Sequence, residues 1–254
     1  MDNHLKNLLS TGQVALGAQL RLGVPSIAEL FAAAGFDYLI LDGEHAPQTP
    51  VGIQAQLQAV NGYACTPIVR LGRNDPDEIR LYLDMGAGGV LIPLIRTAAD
   101  AEKTVSACYY PPKGTRGYGP SRAHRWGFDK DYYARGPSVV VLFVLETAEA
   151  VANIDSILAV DGVDGIILGP ADLSIELGVP LEMGHPKIAA ATDTVIGAAK
   201  RAGRAAGIIY DQNNLPLMRQ RIEQGAGILL AAGDEWMLQA AAQGVMASAA
   251  GLRG

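Results

Sequence analysis

Residues 160–174 read VDGVDGIILGPADLS. A short apolar run, GIIL, is closed by Gly169-Pro170, and a helix-compatible stretch follows. That is the sequence signature of a strand, a tight turn and a helix. The same rhythm repeats along the chain. Strand candidates are Val14–Leu20, Tyr38–Asp42, Pro67–Leu71, Gly89–Leu94, Val139–Thr147, Gly165–Gly169, Ala205–Tyr210 and Gly227–Gly233. Between them lie helix candidates near 26–34, 50–60, 76–85, 98–108, 149–158, 187–202, 215–224 and 235–249. Ser26 is a candidate cap for the first. Asp75-Pro76 reads as an N-cap followed by proline at the first helical position. Gly35, Gly86 and Gly203 follow apolar helical runs, as helix stops do.

Eight strand–helix units in 254 residues is the arithmetic of a TIM (β/α)8 barrel. With no linker or low-complexity block, residues 1–254 are expected to form a single domain. An open doubly wound sheet is the alternative, but the first strand-to-helix turn, LRLGVPS (residues 20–26), lacks a GxGxxG phosphate cradle. Residues 109–137 break the rhythm with a Tyr-, Arg-, Gly- and Pro-rich connection. A connection that long usually carries function or an interface.

Composition narrows the class. Hydrophobic residues are 49% of the chain, enough for a full core and against intrinsic disorder. The net charge of −6 argues against nucleic-acid binding, which wants a basic face. No apolar stretch is long enough to span a membrane. Cys65 and Cys108 form no disulfide framework and have no metal-ligand spacing, so a reducing cytoplasm is expected. Residues 1–12 lack the basic-then-apolar run of a secretory leader. Charged residues are only 18%, and the C-terminal stretch Leu238–Ala250 is Ala-rich, which together point to a homo-oligomer.

In a barrel, chemistry gathers where the strands end. The residues closing the apolar runs are Gln19 and Arg21, Asp42-Gly43-Glu44-His45, Arg70, Glu146-Thr147 and Gly169-Pro170-Ala171-Asp172. Glu146 and Asp172 follow consecutive strands, which lie roughly 5 Å apart. Facing carboxylates repel and desolvate badly without compensation. A divalent cation supplies it, with positions left for water and substrate. Ion pairs to rim arginines, a helix N-cap, or a proton-sharing pair as in glycosidases are the other readings. His45 suits either a structural hydrogen bond or acid/base work. Arg70 suits either an ion pair or the binding of a carboxylate or developing oxyanion. The turn at Gly169, Ala171 and Asp172 can offer free backbone N–H groups to an anion. Asp84 reads as part of a solvated helix face. Arg116, Arg122, His124 and Arg125 read as a solvated or inter-subunit loop, or as a basic lid over an anionic substrate.

Five segments then carry a resemblance: DYLILDGEHAP (37–47), TPIVRL (66–71), YPPKGTRGYG (110–119), LETAEAVANI (145–154) and residues 160–174. In order and separation, from about residue 10 to 235, they resemble the HpcH/HpaI aldolase family, metal-dependent class II pyruvate aldolases. The resemblance implies a TIM barrel whose last helix is exchanged with a neighbouring subunit, in a trimer or hexamer. It implies reversible cleavage of a 4-hydroxy-2-oxo acid to a 2-oxo acid such as pyruvate and an aldehyde, as in aromatic or sugar-acid catabolism. The implied cofactor is Mg²⁺, Mn²⁺ or Co²⁺, with no organic cofactor. By position, Glu146 and Asp172 are similar to the metal ligands and His45 to the base. Asp84 matches the acid that raises the histidine's basicity, which replaces its reading as a solvated face. Arg70 matches the transition-state arginine, and Gly169, Ala171 and Asp172 match the ketoacid-binding turn.

Two positions depart from the family pattern. Val144 stands where glutamine is usual, and Gln19 where tryptophan is frequent. Residues two apart share a strand face, so Val144 is expected to point into the site beside Glu146. Rival chemistries are a lysine-based aldolase, a CoA-thioester lyase served by the 113–125 arginines, and a non-catalytic 2-oxo-acid-binding barrel. The first needs a lysine at a strand end, and Lys6, Lys103, Lys113, Lys130, Lys187 and Lys200 all fall in expected loops or helices.

Overall fold

The computed structural model describes residues 3–209 and 214–252. Eight parallel strands close into a barrel in sequence order. They are β1 Ala15–Leu20, β2 Tyr38–Asp42, β3 Thr66–Arg70, β4 Gly89–Ile92, β5 Val140–Leu145, β6 Gly165–Leu168, β7 Ala205–Ile208 and β8 Ile228–Gly233. The helices are α1 His4–Ser10, α2 Pro25–Ala33, α3 Pro50–Ala59, α4 Pro76–Asp84, α5 Ala98–Cys108 and α6 Tyr132–Arg135. The second half adds α7 Ala148–Ala152, α8 Ile154–Leu158, α9 Pro170–Glu176, α10 Pro186–Ala202, α11 Leu215–Gln224 and α12 Asp234–Ser248. The expected strands are all present, most of them one or two residues shorter. The expected end of the seventh, Tyr210, lies outside the described residues. No described helix is long and apolar enough to cross a membrane.

Local signals account for most boundaries. Asp75 caps α4 by accepting from the Asp77 and Glu78 amides. Gly35, Gly86 and Gly203 take positive φ after helices, as their placement predicts. Ser26 does not cap: α2 starts at Pro25 after Val24, with no side-chain cap. Proline at the first position has a preset φ and lacks the N–H a cap would satisfy. The single helix expected at 149–158 is two short ones, α7 and α8, with Asn153 between them.

Strand alternation builds two apolar layers. Leu39, Leu41, Val69, Val141, Phe143 and Leu145 point outward onto the helices. Tyr38, Ile40, Ile68, Val140, Leu142, Val144 and Ile167 fill the lumen. Each such buried side chain contributes about 1.5–3 kcal/mol. Leu5 of α1 joins the lumen core at the strand-start end. There the Asn3 amide donates to the carbonyls of Gly88 and Ser138, at 2.6 and 2.9 Å.

The 109–137 segment joins α5 to β5 and therefore also lies at the strand-start end. Arg116, buried, pairs with Asp84 at 2.5 Å. Arg122 donates to the carbonyls of Met85 and Leu57. His124 is buried, with Nε2 3.0 Å from the Tyr110 hydroxyl. A lid formed by this segment over the strand-end rim of its own chain is thereby excluded.

Gly17 and Tyr38 are partners across β1 and β2. A Cβ at Gly17 would fall on the Tyr38 ring. The Tyr38 hydroxyl is buried with no hydrogen-bond partner among the described residues, and burial pushes its pKa up. Gly17→Ala is therefore expected to lower stability by about 1–3 kcal/mol through overpacking. Tyr38→Phe keeps the ring and is expected to be neutral or stabilising within about 1 kcal/mol. Urea unfolding midpoints at unchanged slope check both.

Candidate active site

The parity that fills the lumen also decides what crowns it. Counting by twos along the inward face, β1 reaches Gln19, β2 reaches Asp42 and β3 reaches Arg70. Beyond β5 the next inward position after Val144 is Glu146, and beyond β6 it is Gly169. Val144 shares the inward face of Glu146, as strand parity requires, but it is fully buried in the lumen core one layer below and does not stand beside Glu146 in the site. The last layer of the barrel is polar, and everything below it is apolar.

Asp42 is wholly buried. Its Oδ1 accepts from the amides of Glu44 and His45, both at 3.0 Å. Its Oδ2 accepts from Gln19 Nε2 at 2.5 Å, with Arg21 Nε at 3.7 Å and Arg70 Nη1 at 4.0 Å. A fully buried carboxylate survives only with such a set of donors. The turn 43–45 is hooked to β3 as well, because the Gly43 amide donates to the Arg70 carbonyl at 2.8 Å. A Cβ at Gly43 would stand 2.8 Å from that oxygen, so the close approach requires glycine. Arg21 reaches across to donate to the His45 carbonyl at 2.6 Å and to pair with Glu235 of α12 at 2.7 Å.

Glu146 is buried, and its Oε1 accepts from the Leu94 amide at 2.9 Å. To aim that amide, Leu94 takes φ +56°, a left-handed conformation that costs an L-residue about 1–2 kcal/mol. Burial pushes the Glu146 carboxyl above the ordinary glutamate range. The Leu94 amide and the Arg70 charge oppose that rise, while Glu44 and Asp172 add to it. Gly169 packs closely against Glu146: a Cβ there would meet Val144 at 3.0 Å and Glu146 Oε2 at 3.3 Å, so a side chain would press on the carboxylate. Asp172 does not sit opposite Glu146 on a strand end. It is exposed in the first turn of α9, behind Pro170 at the first helical position. Its charge still bears on both Glu146 and Glu44. The Ala171 and Asp172 amides belong to that first turn, whose N–H groups have no acceptor within a helix.

Arg70 is the cation among these acids. It is buried, and Nη2 forms a close ion pair with Glu44 Oε2. Its Nε is buried without a partner among the described residues. An unsatisfied donor of that kind costs about 1–3 kcal/mol, more for a charged group, until an acceptor arrives. Glu44, not singled out from the sequence as a site residue, is also pushed up by burial. Arg70 opposes that rise, and Asp42 and Asp172 reinforce it. His45 is open to solvent, with Nε2 3.4 Å from Glu44 Oε2.

Asp84 is not brought to His45 within one chain. It ends α4, which runs back from the strand ends, so it lies at the opposite end of the barrel with Arg116. Spacing hides this, because residues 45 and 84 both follow their strands or helices in sequence order, while only the barrel axis tells top from bottom. Leu94 carries no sequence signal either, since only glycine advertises a positive φ.

Among the described residues, no three His, Cys, Asp or Glu side chains are gathered to hold a metal ion. The carboxylates at this rim that could hold one are a pair, Glu146 and Asp172, whose charges bear on each other. Such a set suits a hard dication that keeps water or substrate oxygens, and does not suit a closed structural site. The charge balance agrees: Glu44, Glu146 and Asp172 crowd together against the single Arg70.

The sequence model of the HpcH/HpaI aldolase/citrate lyase family matches residues 20–231. A 4-hydroxy-2-oxo-heptane-1,7-dioate aldolase from Salmonella paratyphi C is 40% identical over 250 residues, covering 97% of this chain and 94% of that protein. Among solved structures, an HpcH/HpaI aldolase/citrate lyase family protein from Burkholderia cenocepacia J2315 superposes with a TM-score of 0.91. It shares 33% identity, over 97% of this chain and 99% of that one. The HpcH/HpaI aldolase from Desulfitobacterium hafniense DCB-2 gives 0.84 at 34% identity, over 96% of each. The (β/α)8 barrel, the polar crown at its strand ends and these matches have one conclusion: the chain belongs to the HpcH/HpaI aldolase/citrate lyase family and is a metal-dependent carbon–carbon lyase.

Proposed function

We propose that the chain cleaves a 4-hydroxy-2-oxo acid, reversibly, into pyruvate or a related 2-oxo acid and an aldehyde. The observation that carries this is the buried Nε of Arg70, without a partner among the described residues, on a side chain already paired with Glu44. Only a bound oxygen satisfies it, and a 2-oxo acid brings three. The relative that is a 4-hydroxy-2-oxo-heptane-1,7-dioate aldolase supports the same substrate class.

Glu146 and Asp172 would hold the divalent ion, Mg²⁺, Mn²⁺ or Co²⁺, and that ion supplies a Lewis acid toward the 2-oxo group. The Ala171 and Asp172 amides, in the turn that follows Gly169, take the substrate carboxylate. Arg70 donates to the C2 oxygen as charge builds there. His45 takes the proton of the C4 hydroxyl. The C3–C4 bond then breaks, the aldehyde departs, and the electron pair moves through C3 to the C2 oxygen as an enolate. A proton delivered to C3 completes pyruvate.

Asp84 can support His45 only from a neighbouring copy, since in one chain the two lie at opposite barrel ends. Oligomerisation fits α12 as well. Of its fifteen residues only Asp234 is buried, and Met237, Leu238, Val245 and Met246 stand exposed, as an exchanged helix would in a lone chain. We read the working form as a homo-trimer or hexamer. Free, buried Cys65 and Cys108, with thiols pushed up to about 12, suit a reducing cytoplasm. The CoA-thioester alternative loses its support within one chain, because Arg116, Arg122 and Arg125 lie far from this rim. No described lysine ends a strand, so a Schiff-base route has no candidate.

Four outcomes are expected. C3 protons of pyruvate exchange in D₂O, EDTA stops the exchange, and Mg²⁺, Mn²⁺ or Co²⁺ restores it. Glu146→Gln weakens Mn²⁺ binding, read by EPR, by more than the roughly 10–100-fold typical of losing an outer-shell partner. Exchange insensitive to EDTA would remove the ion from the reaction. Arg70→Ala lowers turnover by roughly 10²–10³, and near-normal turnover in that variant would take Arg70 out of the mechanism. Borohydride added with pyruvate leaves no covalent adduct, checked by intact mass.

A further inference from the structure

We propose that Glu44 is a positioning residue that holds Arg70 and His45 as one unit. The proposal rests on the aldolase reading and deepens it. A single oxygen, Glu44 Oε2, forms the close ion pair with Arg70 Nη2 and lies 3.4 Å from His45 Nε2. The carboxylate is itself fixed from behind. Its own amide and that of His45 are both held by Asp42 Oδ1, and the Gly43 amide is held by the Arg70 carbonyl. Glu44 is therefore tied to β2 through Asp42 and to β3 through both backbone and side chain.

The consequence for Arg70 follows from its shape. A guanidinium is planar and rigid, so anchoring Nη2 fixes the direction of Nε. Nε is the buried donor left without a partner. Without Glu44, Arg70 has other acids in reach: Asp42 Oδ2 lies 4.0 Å from Nη1, and the Glu146 carboxylate feels its charge. The guanidinium would turn toward them and take Nε off the substrate oxygen. His45, exposed on a short turn, would lose the ion-pair contact that Glu44 gives it within the chain. Glu44 also draws on the Arg70 charge that a 2-oxo acid would otherwise use. Its loss should therefore slow turnover without weakening ground-state binding of the acid.

The test uses the full-length protein with added Mn²⁺ or Mg²⁺, and Glu44→Ala, Glu44→Gln and Arg70→Lys variants. The first readout is the ¹⁵N spectrum of labelled arginine side chains, with the Arg70 signal identified by its loss in Arg70→Lys. A held guanidinium gives separate Nη signals through hindered rotation. We expect them in the wild type, merged in Glu44→Ala and intermediate in Glu44→Gln, since a neutral oxygen accepts about half as strongly. The second readout is turnover and KM for the 2-oxo acid. We expect kcat to fall by roughly 10²-fold in Glu44→Ala, the scale of a small misplacement of a reacting group, with KM no higher than wild type. Merged Nη signals with unchanged kcat overturn the proposal, as does an unmoved Arg70 signal. A drop in Mn²⁺ affinity with Arg70 still held would make Glu44 a metal ligand and also overturn it. A wild type without exchange or cleavage under any of the three ions defeats the aldolase reading instead, and the arginine spectrum still decides whether Glu44 holds Arg70.

Discussion

The lumen of an eight-stranded barrel admits one side chain in two from each strand, and it must be filled without water. That constraint puts Tyr38, Ile40, Ile68, Leu142 and Val144 in the interior and leaves only the top layer free to be polar. Charge placed one layer lower would have no solvent and no room for compensating donors. Gln19, Asp42, Arg70 and Glu146 are polar because they are the last inward residues of their strands. The chemistry of the molecule is confined to that layer and to the loops that rise from it.

Within the layer, burial and like charge work against each other's relief. Glu146 and Glu44 are both raised by desolvation, and each raises the other or is raised by Asp172. Arg70 is embedded among them, with Arg21 close to Asp42, and the Arg70 Nε has no partner among the described residues. The site is thus short of positive charge on one side and short of an acceptor on the other. A dication and an oxoacid together would meet both needs, in keeping with the proposed reaction.

The opposite end of the barrel has its own buried polar cluster, around Asp84, Arg116, His124 and Tyr110. Buried Arg116 holds one oxygen of Asp84, which is partly exposed. Exposed Trp126 and Phe128 sit in the same segment, the latter 85% accessible.

Much of this was legible in the sequence. Period-two apolar runs, glycine stops and the Asp75-Pro76 start are local signals, and they determined eight strands, their order and which residue types cap them. The same counting put Val144 on the inward face with Glu146, since strand parity is a property of the backbone alone, but not its depth in the sealed core. Tertiary structure decided the rest. Asp84 and the 109–137 arginines proved to lie at the far end, and Glu44 proved to be Arg70's partner. Leu94 took a left-handed turn to serve Glu146. These facts concern which groups meet across strands and which end of the barrel they occupy. They are set when the sheet closes and side chains compete for the few donors in a dry interior, a competition that no local stretch of sequence records.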